Sequence, residues 1–143
     1  MKYKNNPLNI RFSIANNWIG QIKPKKGFCQ FKSLYYGFRA GVRLIIRYRS
    51  FGKTCISQII NRFAPPSENK TGQYIDYVVK RGADIYNECL GRFDSVSWSE
   101  FTEISTSDDI AALLCAMANI EIGEYSPSWF WLIKDICRDE NIV

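Results

Sequence analysis

The chain has 143 residues, 46% hydrophobic and 15% aromatic, the composition of one packed domain rather than of a disordered segment. Histidine is absent, which excludes Ser-His-Asp and Cys-His hydrolases, histidine-ligated zinc and histidine phosphotransfer, so acid–base chemistry must run on Asp, Glu, Lys, Tyr or Cys. Charge is divided along the chain: residues 1–67 carry 13 Lys and Arg and no acid, while all 14 Asp and Glu follow, giving +13, −8 and a total of +5.

An acid-free basic half either attracts an anionic partner (nucleic acid, a phosphate-rich polymer or an acidic cell-wall glycan) or is neutralised by the other half across one fold. The division also means that no catalytic carboxylate precedes Glu68. The five cysteines, Cys29, Cys55, Cys89, Cys115 and Cys137, are odd in number and form no Cys-x-x-Cys pair. They are neither a disulfide framework nor a zinc knuckle, and Cys55, Cys115 and Cys137 fall in apolar helical patterns as small core residues. No metal or cofactor is expected. No apolar run approaches the roughly 18 residues of a membrane span. Met1 to Leu8 has no apolar h-region, so the chain is expected to be made in the cytoplasm without a signal peptide.

Residues 5–31 are broken by Asn-Pro and Gly every few positions, which predicts a structured loop region with a short hairpin. Its Asn and Gln side chains can line a sugar site with Trp18 as a stacking platform, or serve turn chemistry and core packing. Ser33 to Ser50 reads as a helix, with Leu34, Phe38, Val42, Ile45 and Ile46 at intervals of three and four. Arg39, Arg43 and Arg47 form a basic stripe on another face, either a solvated side or a binding surface. Gly52 ends this helix, and Thr54 is the expected cap of the next, whose apolar face is Ile56, Ile59, Ile60 and Phe63. Ala64-Pro-Pro66 stops it. Another helix is expected from Ser67, capped by Thr71, with Ile75, Val78 and Val79 inward and Gly82 as terminator. Asp84 to Leu90 reads as a separate short helix. Phe93 to Ser105 reads as a turn or extended link, although Ser97 and Glu100 have capping-box spacing. Ser107, Asp108 and Asp109 start a helix that runs through Ile110, Leu113, Leu114 and Met117 to Glu121, where Gly123 stops it. Ser126-Pro127 opens the last helix. The fold class is mainly α, one domain over residues 1–143: a loop-rich cleft segment, 1–32, and a helical body, 33–143.

Glu121 is the residue that stands out, a lone carboxylate where an apolar helix ends. It is either an ordinary solvated glutamate or a desolvated carboxyl kept protonated near neutral pH, as a general acid requires. Glu68 is the rival acid, with a helix-start role beside Pro66 and Asn69 as its other reading.

Four segments, Asn5-Asn-Pro-Leu-Asn-Ile-Arg11, Gly27-Phe-Cys-Gln-Phe31, Tyr36-Gly-Phe-Arg-Ala40 and Ala64-Pro-Pro-Ser-Glu-Asn-Lys-Thr71, resemble a phage and prophage family labelled structural protein P5. Its late Ala-x-x-x-x-Glu-x-Gly segment is similar to Ala116–Gly123, and Leu8 stands where the family has glycine. The same pieces also resemble lysozyme-like and lytic transglycosylase motifs in rotated order. Ala116 to Gly123 is similar to the helix ending in Glu-Ser-Gly that carries the catalytic acid. Gly27 to Phe31 is similar to the cleft-lining Gly-Leu-Met-Gln segment. Thr71 to Val78 is similar to the Thr-x-x-Tyr-Val-x-x-Val segment whose tyrosine reaches the active site. A circular permutation would reconcile the order.

The resemblance implies a lysozyme-like fold cleaving the bond between N-acetylmuramic acid and N-acetylglucosamine, with Glu121 as acid. Gln30 would bind substrate and Tyr74 would orient the intermediate. Asn69, Arg39 and Trp18 complete the candidate substrate-binding set. The expected partner is the peptidoglycan glycan strand at the cell wall, in the periplasm or from a virion. A phage lysin, a virion-associated wall enzyme and an injected antibacterial toxin all fit, the last with a secretion-system or immunity partner. The competing reading is a non-enzymatic virion or tail component. Nucleic-acid binding ranks lowest, because no recognised DNA-binding motif accompanies the basic half.

Overall fold

The structure, a computed structural model, describes residues 1–91 and 95–143. The chain is mainly helical, with one antiparallel hairpin near the N-terminus: β1 (Gln21–Lys25) and β2 (Phe28–Phe31), then α1 (Leu34–Ser50), α2 (Ile56–Phe63), α3 (Thr71–Leu90), α4 (Ser107–Ile122) and α5 (Pro127–Asp139).

Helix α4 is the axis of the molecule. Every residue from Ile110 to Ala118 is buried, so the helix is apolar all round and is enclosed by α3, α5 and α1. Its ends are set locally. Thr106 is the N-cap, one residue before the predicted start, and Asp109 reaches back to bond the Thr106 N–H at 3.0 Å. Gly123 closes the far end in the left-handed region, φ 69°. Proline at the first position and Ser126 as cap open α5 as expected.

The N-terminal arm lies across α1 and the hairpin. Asn6, fully buried, donates to Ile10 O (3.0 Å) and Cys29 O (2.8 Å) and accepts from Ile10 N (2.9 Å), so its amide satisfies three backbone groups at once. The arm comes so close to α1 that a β-carbon on Gly37 would lie 1.9 Å from Asn5 O, and one on Gly41 would lie 2.5 Å from Leu8.

Three predicted boundaries move. Thr54 does not cap α2: its carbonyl accepts from Ile104 N, which keeps it extended, and Cys55 becomes the N-cap with Gln58 Oε1 accepting its N–H. Thr71 does not cap α3 either. Its hydroxyl is buried and donates to Ala64 O at 2.5 Å, tying α3 to the end of α2, and Lys70 is the cap. Gly82 does not terminate a helix. Helix α3 runs unbroken to Leu90, and a β-carbon on Gly82 would lie 2.2 Å from the Trp98 ring, so the glycine makes room for a packed indole. The expected separate helix from Asp84 is therefore the second half of α3. Of the Phe93–Ser105 segment, residues 93 and 94 lie outside the described residues. The remainder holds no helix and joins α2 through a bridge between Cys55 and Glu103. All five cysteines carry free thiols, with Cys55, Cys115 and Cys137 in the core. Among the described residues no helix is long and apolar enough to cross a membrane.

Gly37→Ala is expected to lower stability by about 1–3 kcal/mol, because the methyl must displace backbone rather than a flexible side chain. Gly72→Ala, with open space around its β-carbon in α3, is expected to raise it by about 0.5–1 kcal/mol. Thermal melts of the two variants, followed by circular dichroism, check both signs.

Candidate active site

Glu121 continues the inward stripe of α4, four residues after Met117 and seven after Leu114, so helical periodicity turns it toward the apolar interior. It emerges, half-buried, at the wall of a groove of about 430 Å³, within the size range of small-ligand clefts. Two donors hold the carboxyl. Tyr74, from α3, donates its hydroxyl to Oε2 at 3.0 Å. Asn9, from the N-terminal arm, donates Nδ2 to Glu121 O at 2.9 Å and to Oε1 at 3.3 Å. The backbone carbonyl can only accept, which fixes the orientation of the Asn9 amide. Among the described residues its buried Oδ1 has no partner. Asn9 also sits in the left-handed region, φ 49°, which asparagine tolerates better than most residues.

Burial raises the Glu121 carboxyl pKa above its ordinary value, and the hydrogen bonds from Tyr74 and Asn9 only partly offset it. The position in the last turn of α4, at the negative end of the helix and with no basic residue in that turn, acts in the same direction as burial. Burial, and then the Glu121 charge and hydrogen bond, push the Tyr74 phenol far above its normal range. Tyr74 therefore stays a hydrogen-bond donor at any physiological pH.

The sequence-predicted residues divide. Glu121, Glu68, Asn69 and Trp18 line the one groove. Tyr74 lies behind it, buried, and reaches Glu121. Gln30 is not part of the groove lining: its amide is committed within the N-terminal region, accepting from Lys4 N at 3.0 Å and donating to Lys23 O at 3.1 Å. Arg39 lines a neighbouring cavity and pairs with Glu140 at 2.9 Å. Of the two acids, Glu68 is exposed in the loop between α2 and α3, whereas Glu121 is half-buried and held by two side chains.

Sequence reasoning did not single out Asn9, Arg11, Arg47 or Arg62 as groove residues. Each guanidinium lies over an aromatic ring: Arg11 over Phe28 (5.8 Å), Arg47 over Trp18 (5.1 Å) and Arg62 over Tyr48 (5.7 Å). Among the described residues none of the three has a carboxylate within 4.0 Å. The period-four stripe carried the signal for Arg47. The other three sit on loops or a short helix, where spacing does not foretell direction.

One further polar cluster resembles a serine–lysine pair: Lys134 Nζ lies 2.7 Å from Ser107 Oγ. The same Nζ pairs with Asp108 at 2.6 Å, so the lysine is engaged in an ion pair. The cluster locks α5 to the start of α4.

No protein-family model matches the chain. The chain is similar to Protein P5 of Pseudoalteromonas phage PM2, 37% identical over 91 residues. The match spans 60% of this chain and 57% of that relative's length, so the likeness joins the chain to part of a phage protein.

Proposed function

We propose that the protein is a peptidoglycan-cleaving glycosidase, with Glu121 as the general acid at the bond between N-acetylmuramic acid and N-acetylglucosamine. The observation that carries this reading is the half-buried Glu121 carboxyl, held by Tyr74 and Asn9 at the wall of a groove lined with aromatic, asparagine and arginine side chains. Desolvation favours the protonated carboxyl, and oxocarbenium-forming chemistry needs that proton at the leaving oxygen. Both oxygens accept a hydrogen bond, Oε2 the shorter one from Tyr74 at 3.0 Å and Oε1 the longer one from Asn9 at 3.3 Å, so in this reading Oε1 is the oxygen that offers the proton. The unpartnered Asn9 Oδ1 beside it is an acceptor for a sugar hydroxyl or amide N–H. Trp18 and Phe28 are walls of the groove rather than open stacking platforms: Trp18 is 7% exposed with Arg47 over its ring, and Phe28 stacks on Tyr3 with Arg11 over it.

Glu68 supplies a second carboxylate on the same groove. If it activates water, the products carry reducing ends. If the substrate's own hydroxyl attacks instead, Glu121 serves as acid and then base, and the products carry anhydro ends. The likeness to part of a phage protein supports a phage-related role, which the second reading, a virion component that binds without cleaving, shares. Delivery from a phage, a virion or a secretion system fits the first.

Glu121→Gln is expected to lower release of soluble fragments from purified sacculi by about 10²–10⁴-fold, and Glu68→Gln by less. Mass spectrometry of the products separates reducing from anhydro ends. Fragment release unchanged in Glu121→Gln would favour the binding reading.

Tyr74→Phe removes a bond that favours the charged carboxylate. The high-pH limb of the activity profile is therefore expected to move to higher pH, while a purely structural role would leave the limb in place.

Stability carries the same sign. Because the Glu121 pKa is raised on folding, its contribution is fully present below the unfolded carboxyl value of about 4.3 and is lost as pH rises through the folded value. Relative to wild type, Glu121→Gln is expected to gain in melting temperature across that window, with the difference constant below it.

A further inference from the structure

The groove does not end at Trp18. A second cavity of about 520 Å³ opens on the other side, and Asn16, Trp18 and Arg47 line both. We infer that the two form one track for a carboxylate-bearing glycan strand, in which Arg43 and Arg47 meet acidic groups beyond the bond being cleaved. The inference rests on the glycosidase reading and adds to it the charge class of the substrate and a second binding region.

Three observations carry it. First, among the described residues no acid lines the second cavity, while Arg39, Arg43 and Arg47 all do. Arg39 and Arg43 share one carboxylate, Glu140, at 2.9 and 3.9 Å, and Arg47 donates to the neutral Asn16 at 2.9 Å, with no carboxylate within 4.0 Å among the described residues. The cavity therefore keeps an excess of positive charge that the fold does not answer. Second, Trp18 lines both cavities although it is only 7% exposed, and among the described residues its buried indole N–H has no acceptor, so the wall that the two cavities share carries an unanswered polar group. Third, the arginines of the groove proper are held over aromatic rings instead of being paired to acids, which leaves their N–H forks free for a ligand.

Charge spacing favours a glycan over a nucleic acid. Glu121 and Glu68 stand among the arginines of the groove. A polymer with a phosphate at every unit would bring negative charge onto both. A strand with one carboxylate per disaccharide can place neutral sugars over the glutamates and its acids on the arginines.

The test measures binding separately from cleavage. In a Glu121→Gln background, which removes turnover, calorimetry compares three probes: peptidoglycan glycan strands stripped of peptides with their lactyl carboxylates intact, neutral chitohexaose, and a single-stranded DNA oligonucleotide. The strands are expected to bind about tenfold or more tighter than chitohexaose, with affinity falling between about 50 and 200 mM salt. Adding Arg43→Gln is expected to weaken strand binding by about threefold without changing chitohexaose binding, and circular dichroism melts confirm that the variant folds. Equal affinity for strands and chitohexaose, or no effect of Arg43→Gln on the strands, overturns the track. DNA binding as tightly as the strands assigns the surface to nucleic acid and overturns it too. The glycosidase reading fails independently: strands that bind as expected, with no fragments released by the wild-type protein, leave the track standing and remove the chemistry. Fragment release with Arg43-independent binding does the reverse.

Discussion

One fully buried side-chain amide fixes the N-terminal arm against everything else. Asn6 bonds the backbone of Ile10 and of Cys29, adding a side-chain link to the backbone bonds from Cys29 N to Ile10 O and from Phe31 N to Lys4 O that join the arm to β2. The nearby close contacts at Gly37 and Gly41 exist because that knot pulls the arm down onto α1. Three residues after Asn6, the turn it stabilises delivers Asn9 to the end of α4, 112 positions away in sequence. An arm seated on the core by burial alone would have no reason to hold a left-handed asparagine in one orientation. The buried amide makes that orientation obligatory, because each of its groups would otherwise be unsatisfied.

The consequence is a carboxyl under opposing forces. Burial at the end of an all-apolar helix disfavours its charge, and two donors favour it. A carboxyl in full solvent would be ionised, and one buried without partners would be too costly to keep. Glu121 lies between, with its backbone carbonyl and both oxygens engaged and its flank open to a groove. Asn9 concentrates the residual cost, with its positive φ and its unpartnered Oδ1.

What could be read from the sequence was what repeats with a helical period. The apolar spacing from Ile110 to Met117 continues to Glu121, so the inward direction of that glutamate was legible, as were the starts at Ser126-Pro127 and near Ser107. The hairpin announced itself through its turn residues. Glycine and threonine misled, because their roles are tertiary. Gly82 is spacing for Trp98, and no local pattern distinguishes that from a helix stop. Thr71 and Thr54 have the chemistry of caps, but their groups are claimed by Ala64 and Ile104. Within the site, Glu121, Glu68, Asn69 and Trp18 converge from four places in the chain. Asn9 was invisible as a functional residue because its partner is more than a hundred residues distant. Gln30, drawn in by likeness of a short segment, is engaged with the backbone of Lys4 and Lys23.

The divided charge now has a physical reading. Had the basic half existed to neutralise the acidic half, its cations would face the later carboxylates across the fold. Among the described residues, the side chains that do so within 4.0 Å are Arg39 and Arg43, both on Glu140. Lys134 and Arg138 pair instead with Asp108 and Asp135, acids of their own half. Of the four arginines left over in that half, Arg49 lies elsewhere, while Arg11, Arg47 and Arg62 gather on the groove that holds Glu121, each laid over a ring that keeps its stem dry and its head presented. Cations collected around a desolvated acid would, in the absence of burial, draw its proton away. Burial raises the Glu121 carboxyl pKa, and the groups that oppose it are Tyr74 and Asn9 rather than the arginines, so the positive field can attract an anionic ligand to the groove without acting mainly on the acid.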